Sequence, residues 1–138
     1  MTGYSGTPLL KKLGIKPGDR LIVVNAPKGY WDWLAPMPEN VKGTGKTARG
    51  EVDFIQVFVS DQKIFKTEFL KNKKLLAKSG MLWVSWPKKS SKIPTDLSEN
   101  DIRDFGLANG LVDVKVCAVD EVWSGLKFVF RVKDRNDK

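Results

Sequence analysis

The 138-residue chain contains no histidine. That removes the commonest general base near neutral pH, serine–histidine nucleophile pairs, and every metal site built on imidazole. A single cysteine, Cys117, excludes an internal disulfide framework and suits a reducing compartment, so a cytoplasmic location is expected. Cys117 alternates with valines, which marks it as a small packing residue rather than a nucleophile. Long apolar runs are missing too. None approaches the roughly 18 residues of a membrane span, no secretory signal opens the chain, and no membrane partner is expected. Asp113, Asp120 and Glu121 match no hydrolase or metal spacing and read as solvated strand ends. No metal, no cofactor and no catalytic residue is therefore expected.

What is present suits one globular domain spanning 1–138: 41% of residues are hydrophobic and 29% charged. A chain of this size buries about two thirds of its unfolded surface and needs no staple. The net charge of +8 is unevenly spread. Residues 61–92 carry nine basic and two acidic side chains, while 93–138 carry seven and nine. Such a stretch suits either a solvated helix face with a lysine-bearing loop or a surface for polyanions.

Along the chain, Thr7 and Pro8 open a short helix over 7–13 with Leu9, Leu10 and Leu13 inward, and Gly14 closes it. Pro17-Gly18 turns into the apolar run Leu21–Val24, a strand covered on both faces. Tyr30 to Leu34 suits one helical turn; Trp31 and Trp33, two apart, cannot share its face, so one packs inward and the other lies over a neighbouring loop. Residues 36–50, with Pro36, Pro38 and a Gly/Lys/Thr-rich segment, form a flexible loop. Gly43-Thr44-Gly45-Lys46-Thr47 superficially suggests a phosphate loop, but Asn40 stands where the first glycine belongs and no strand precedes it. Val52–Val59 is the second strand. A helix over 62–78 follows, with Ile64, Phe65, Phe69, Leu75 and Leu76 inward. Met81–Trp86 is the third strand. Ser98 and Asp101 form a capping-box pattern for the next helix, which ends at Gly110. Period-two alternation over 112–118 and 126–132, joined by 120–125, predicts an antiparallel pair before a charged tail at 133–138.

Alternating strands and helices predict an α/β fold of two or three layers, with a mostly parallel five-stranded sheet and a C-terminal antiparallel hairpin, an arrangement that resembles the Rossmann-like folds. Successive crossovers in one direction put their helices on one face. The first helix, the 36–50 loop or a second subunit must then cover the other, so a homodimer is one expectation.

Three segments, Gly3–Leu9 (GYSGTPL), Trp83–Lys89 (WVSWPKK) and Val112–Leu126 (VDVKVCAVDEVWSGL), resemble an uncharacterised bacterial family known only as a domain of unknown function. The element order resembles the S-adenosylmethionine (SAM)-dependent methyltransferases, whose sheet ends in an antiparallel hairpin. That resemblance implies the strand order first, second, third, fifth, fourth. It also implies a glycine-rich turn after the first strand and an acidic residue closing the next, for the cofactor ribose. Here the turn is Asn25-Ala26-Pro27-Lys28-Gly29, with one glycine, and no recognisable strand supplies the acid.

Ligands of open parallel sheets bind beyond the carboxyl ends of the strands. That edge gathers Asn25, Lys28, Ser60, Asp61, Trp86, Lys88, Lys89, Ser90 and Ser91, with Thr95 and Asp96 close in sequence. Lysines and hydroxyls beside an aromatic wall suit an anionic small molecule. Trp83 and Trp123 read as packing residues. The leading expectation is a non-catalytic ligand-binding or regulatory domain with an anion-tolerant pocket at this edge. The alternatives are nucleic-acid binding through the basic 61–92 surface and SAM-dependent methyl transfer.

Overall fold

The computed structural model describes residues 8–43 and 50–135. Thr7, the 44–47 part of the superficial phosphate loop and residues 136–138 lie outside the described residues. Helix α1 (Leu9–Leu13) is capped by Pro8, and Gly14 ends it at φ 86, a left-handed position that costs glycine nothing. The apolar run becomes β1 (Arg20–Val24), and α2 (Tyr30–Leu34) follows. Within the expected loop, Lys42–Gly43 forms a two-residue strand, β2, which pairs in parallel with Arg20 and Leu21. Next come β3 (Val52–Phe58), α3 (Gln62–Lys73), β4 (Leu76–Pro87), a 3-10 turn at Lys89–Ser91, α4 (Glu99–Ala108), β5 (Leu111–Ala118), β6 (Trp123–Phe130) and α5 (Val132–Arg135).

The sheet order is β2-β1-β3-β4-β6-β5. β1 to β4 run parallel, and β6 lies antiparallel to both of its neighbours. The five expected strands fall in the expected order, and β2 adds a sixth at the edge.

Two boundaries differ from the sequence reading. α3 stops at Lys73, and Leu76 opens β4 rather than lining the helix. The Val52 amide donates to the Leu75 carbonyl (2.9 Å), so pairing with β3 captures this segment before the helix can continue. Between Leu76 and Met81, β4 advances further than β3, and Gly80 makes the close approach: a Cβ there would lie 2.9 Å from the Val52 and Asp53 carbonyl oxygens. At the other end Val132 leaves the strand and opens α5, where the Arg131 carbonyl accepts from Asp134 and Arg135 amides.

Two cores make the fold three-layered. On one face α3 and α4 bury Phe65, Phe69 and Ile102 against Ile55, Val57, Leu82, Val84 and Phe128. Phe69 meets Phe128 edge-to-face at 5.5 Å and Phe105 at 5.3 Å, the geometry aromatic quadrupoles favour. On the other face α1 and α2 set Leu9, Leu13, Tyr30 and Leu34 against Phe54, Phe58 and Trp83. The second face, for which a partner subunit was one candidate cover, is thus covered from within the chain. Trp33 packs on this core while Trp31 stays 50% exposed, the split their spacing required. The buried Trp83 indole donates to the Leu13 carbonyl (3.0 Å), fixing α1 to the sheet.

Gly106 on α4 sets the closeness of helix and sheet. A Cβ there would fall 2.1 Å from Phe128 Cε1. Helix propensity alone favours alanine by about 1 kcal/mol, but overpacking costs about 1–3 kcal/mol. Gly106→Ala is expected to lower unfolding stability by a net of up to about 2 kcal/mol, read as a lower urea midpoint at unchanged slope. A higher midpoint would show that Phe128 yields freely.

Candidate functional site

The carboxyl ends of β1, β3 and β4 open on one edge, and there the sequence candidates separate into two groups. At the β1 end, Asn25 and Lys28 are exposed. Asn25 holds φ 58, and its amide donates to the Phe58 carbonyl (3.4 Å), bridging the ends of β1 and β3. Gly29 holds φ 86 at the start of α2. The bend therefore carries two left-handed positions, one filled by asparagine, the non-glycine residue that best tolerates them.

Below this bend, a buried polar chain crosses the sheet. Tyr30 Oη donates to Gln56 Oε1, and Gln56 Nε2 donates to Ser85 Oγ (3.0 Å). All three residues are fully buried, so each polar atom depends on the others. This chain pins α2, and with it the Asn25–Gly29 bend, to the middle of β3 and β4.

At the β4 end, Trp86, Lys88 and Lys89 line a cavity of about 440 Å³ together with Pro87, Leu97, Ser98, Glu99, Asn100 and Ser124. Ser60, Asp61, Ser90 and Ser91 stand outside that lining. The Ser60 carbonyl accepts from Thr95 Oγ1 (2.6 Å), and Asp61 Oδ1 caps α3 through the Ile64 amide (2.7 Å). Ser91 Oγ donates to the Lys88 carbonyl (2.6 Å). Lys88 Nζ itself donates to the Asp120 carbonyl (2.7 Å), which ties the loop after β4 to the β5–β6 turn and leaves Lys89 as the exposed cation at the rim. Asp96 accepts from the Gln62 amide (2.8 Å), so the loop entering α4 is held against the start of α3.

Sequence reading did not find Ser98, Glu99, Asn100 and Ser124 as lining residues. Ser98 was visible as a cap, and its Oγ accepts from the Asp101 amide (3.2 Å). Asp101 does not complete the box; its carboxylate accepts from Gln62 Nε2 (2.9 Å). Ser124 reaches the site by pairing with Trp86 across the β4–β6 ladder, a contact that needed the exact hairpin register. The Glu99 carboxylate is paired with Arg103, which also bonds Asp113 (2.8 Å), so its charge is compensated.

Several lysines of the basic 61–92 stretch are engaged within the domain. Lys73 Nζ donates to the Asn109 carbonyl, and Lys66 and Lys78 sit over the rings of Phe105 and Phe130. Cys117 is half-buried, and burial pushes its thiol pKa up, consistent with a packing role. Among the described residues no group of His, Cys, Asp and Glu is arranged to hold a metal, and no helix is long and apolar enough to cross a membrane.

Solved structures share this arrangement of strands. A SAM-dependent methyltransferase from Aquifex aeolicus superposes with a TM-score of 0.64 over 89% of this chain and 88% of its own, at 16% identity. The geranyl diphosphate C-methyltransferase of Streptomyces coelicolor, solved with S-adenosyl-L-homocysteine, gives 0.61 over 89% and 77%, at 10% identity. Aeropyrum pernix fibrillarin, with natively bound SAM, gives 0.57 over 93% and 71%, at 15% identity. The fold is that of the SAM-dependent methyltransferases. No protein-family model matches the sequence, and no curated relative does.

These neighbours overturn the expectation of a non-catalytic domain that uses no cofactor. That expectation rested on the bend after β1, which has one glycine where the resemblance implies several. The bend nevertheless holds two positive-φ positions, Asn25 and Gly29.

Burial raises the Tyr30 pKa above its ordinary value of 10.0. The folded protein thus keeps a proton that the unfolded chain releases, and stability is present in full below about pH 10 and falls above it. Tyr30→Phe should cost about 1–3 kcal/mol in urea unfolding, because Gln56 Oε1 loses its buried donor, and should flatten this alkaline fall. An unchanged midpoint would show that the polar chain carries no stability.

Proposed function

We propose that this chain is a SAM-dependent methyltransferase that acts on a small acceptor bearing an anionic group. The donor binds at the Asn25–Gly29 bend and the acceptor in the cavity beside Trp86. The supporting observation is the strand order with one reversed strand, β6, between β4 and β5, shared with the Aquifex aeolicus enzyme over about nine-tenths of this chain.

The residues at the bend suit the donor. The two left-handed positions fold the backbone sharply away from the strand end, and Ala26 between them is exposed and presents only a methyl group. Residues 40–50 contain no carboxylate for the ribose hydroxyls. Of the exposed acids Asp32 and Glu39, Asp32 stands three residues after Gly29 in the first turn of α2 and takes that role. Bound SAM supplies an electrophilic methyl group on a sulfonium. The chain's own part is to bind, orient and shield.

The acceptor cavity, about 440 Å³, lies within the range of small-molecule sites. The buried Trp86 gives it an apolar wall, Ser98 and Ser124 give hydroxyls, and Lys89 gives a cation at the rim. Arg103 compensates Glu99, so an anionic acceptor meets a net positive mouth. Because the chain has no histidine, an acceptor atom with a free lone pair at neutral pH asks least of the protein.

Titration calorimetry with S-adenosylhomocysteine tests this reading directly. The wild-type chain should bind, and Asp32→Asn should bind about tenfold more weakly, about 1.4 kcal/mol. Asp32 is exposed, so the melting temperature of the free protein should not move. No heat and no thermal shift at millimolar SAM or its product would overturn the proposal.

A further inference from the structure

At the opposite end of the sheet lies a second cavity, of about 200 Å³, whose polar lining is Lys78, Ser79, Lys127 and Arg135. Its three cations come from β4, β6 and α5, elements far apart in sequence, and among the described residues no Asp or Glu lines it. None of the three forms an ion pair among the described residues. Two are held in place by other contacts. Lys78 Nζ stands 4.5 Å from the centre of the Phe130 ring, and Arg135 Nε donates to the Phe130 carbonyl (2.9 Å), so the far face of its guanidinium stays available. Lys127 is half-buried on the face that carries Trp83, opposite Lys115 on β5. Burial, and then the charges of Lys115 and Lys16, push its pKa down from the usual lysine value. The Lys78 ammonium, over the Phe130 ring, lies on the face that α3 and α4 cover, so Lys127 and Arg135 carry the charge of the cavity, and among the described residues no carboxylate lines it.

Size restricts the ligand. A cavity of about 200 Å³ is below the range that encloses a whole cofactor, and suits one compact, highly charged group. A tetrahedral oxyanion meets that description, because a guanidinium fork, an ammonium group and the Ser79 hydroxyl satisfy several of its oxygens at once. The close approach at Gly80 brings Lys78 and Ser79 to the rim, so a backbone feature with no other evident use builds part of the site.

We propose that the pocket lined by Ser79, Lys127 and Arg135 binds a phosphate group, as inorganic phosphate or as the head of a phosphomonoester. It is separate from the donor and acceptor sites: about seven residues of β4, roughly 23 Å of strand, divide Gly80 from Pro87. Its occupation does not depend on methyl transfer.

The test uses the full chain, with thermal shift and calorimetry against inorganic phosphate, glycerol phosphate and a short single-stranded RNA, each matched in ionic strength with chloride. Saturable stabilisation by phosphate or glycerol phosphate, beyond that of chloride, is the expected result; a preference between the two identifies the source. Lys127→Met keeps the apolar stem and removes a half-buried charge, so the protein should fold with a melting temperature no lower than wild type. Its phosphate affinity should fall at least tenfold, as should that of Arg135→Gln. Lys63→Gln, on the exposed side of α3, should change nothing. S-adenosylhomocysteine binding should be equal in all three variants, which separates this site from the cofactor edge. Equal responses to phosphate and chloride, full phosphate affinity in Lys127→Met, or binding of the RNA alone would each overturn the proposal.

Discussion

The hydrogen-bonded series Tyr30–Gln56–Ser85 is the constraint on which the candidate cofactor edge depends. A phenol, an amide and a hydroxyl sit in an apolar layer with no solvent exposure, joined in series by hydrogen bonds from Tyr30 to Gln56 and from Gln56 to Ser85. Leaving any of them without a partner costs as much as several ordinary contacts gain. That penalty selects one placement of α2 over β3 and β4 from the many that hydrophobic contact alone would allow. The Asn25–Gly29 bend, continuous with α2, inherits its position. A loop exposed to water is thereby held by atoms that water never reaches.

Charge organisation follows the fold rather than the chain. The 61–92 stretch looks like a basic patch in the sequence, yet several of its lysines are engaged with carbonyls or aromatic rings of the domain. Positive charge also meets where Lys127 and Arg135 line one cavity with the start of β4, with Lys16 and Lys115 near Lys127. Local counting cannot detect that convergence, because the antiparallel insertion of β6 between β4 and β5 is what makes these residues neighbours.

Much of the architecture was legible from local chemistry. Ser98 caps α4 through its side chain, Gly14 and Gly110 end helices at positive φ, and the alternating valines and phenylalanines of the tail announce a hairpin. What depended on distant partners was not legible. Leu76 belongs to a strand because Val52 is beside it, and Lys42–Gly43 pairs because β1 offers a free edge. The cavity beside Trp86 was half visible: its β4 side follows from sequence, while Ser124 and Glu99 arrive through register and helix packing. Asn25 and Gly29 were both seen, but their shared backbone conformation, the property that matters at the bend, has no signature in residue type alone.

The reversed strand has a consequence for biosynthesis. Until β6 emerges from the ribosome, β4 has one side unpaired and β5 has no neighbour in the sheet. Phe128, which meets both Phe69 and Gly106, is also still absent, so the layer of α3 and α4 lacks its floor. The nascent chain therefore carries an open, apolar strand edge while the residues between Pro87 and Trp123 are made, and closes it in a single late event. For a protein with this topology, the interval between synthesis of β4 and of β6 is the period of greatest exposure to aggregation and of greatest need for a chaperone.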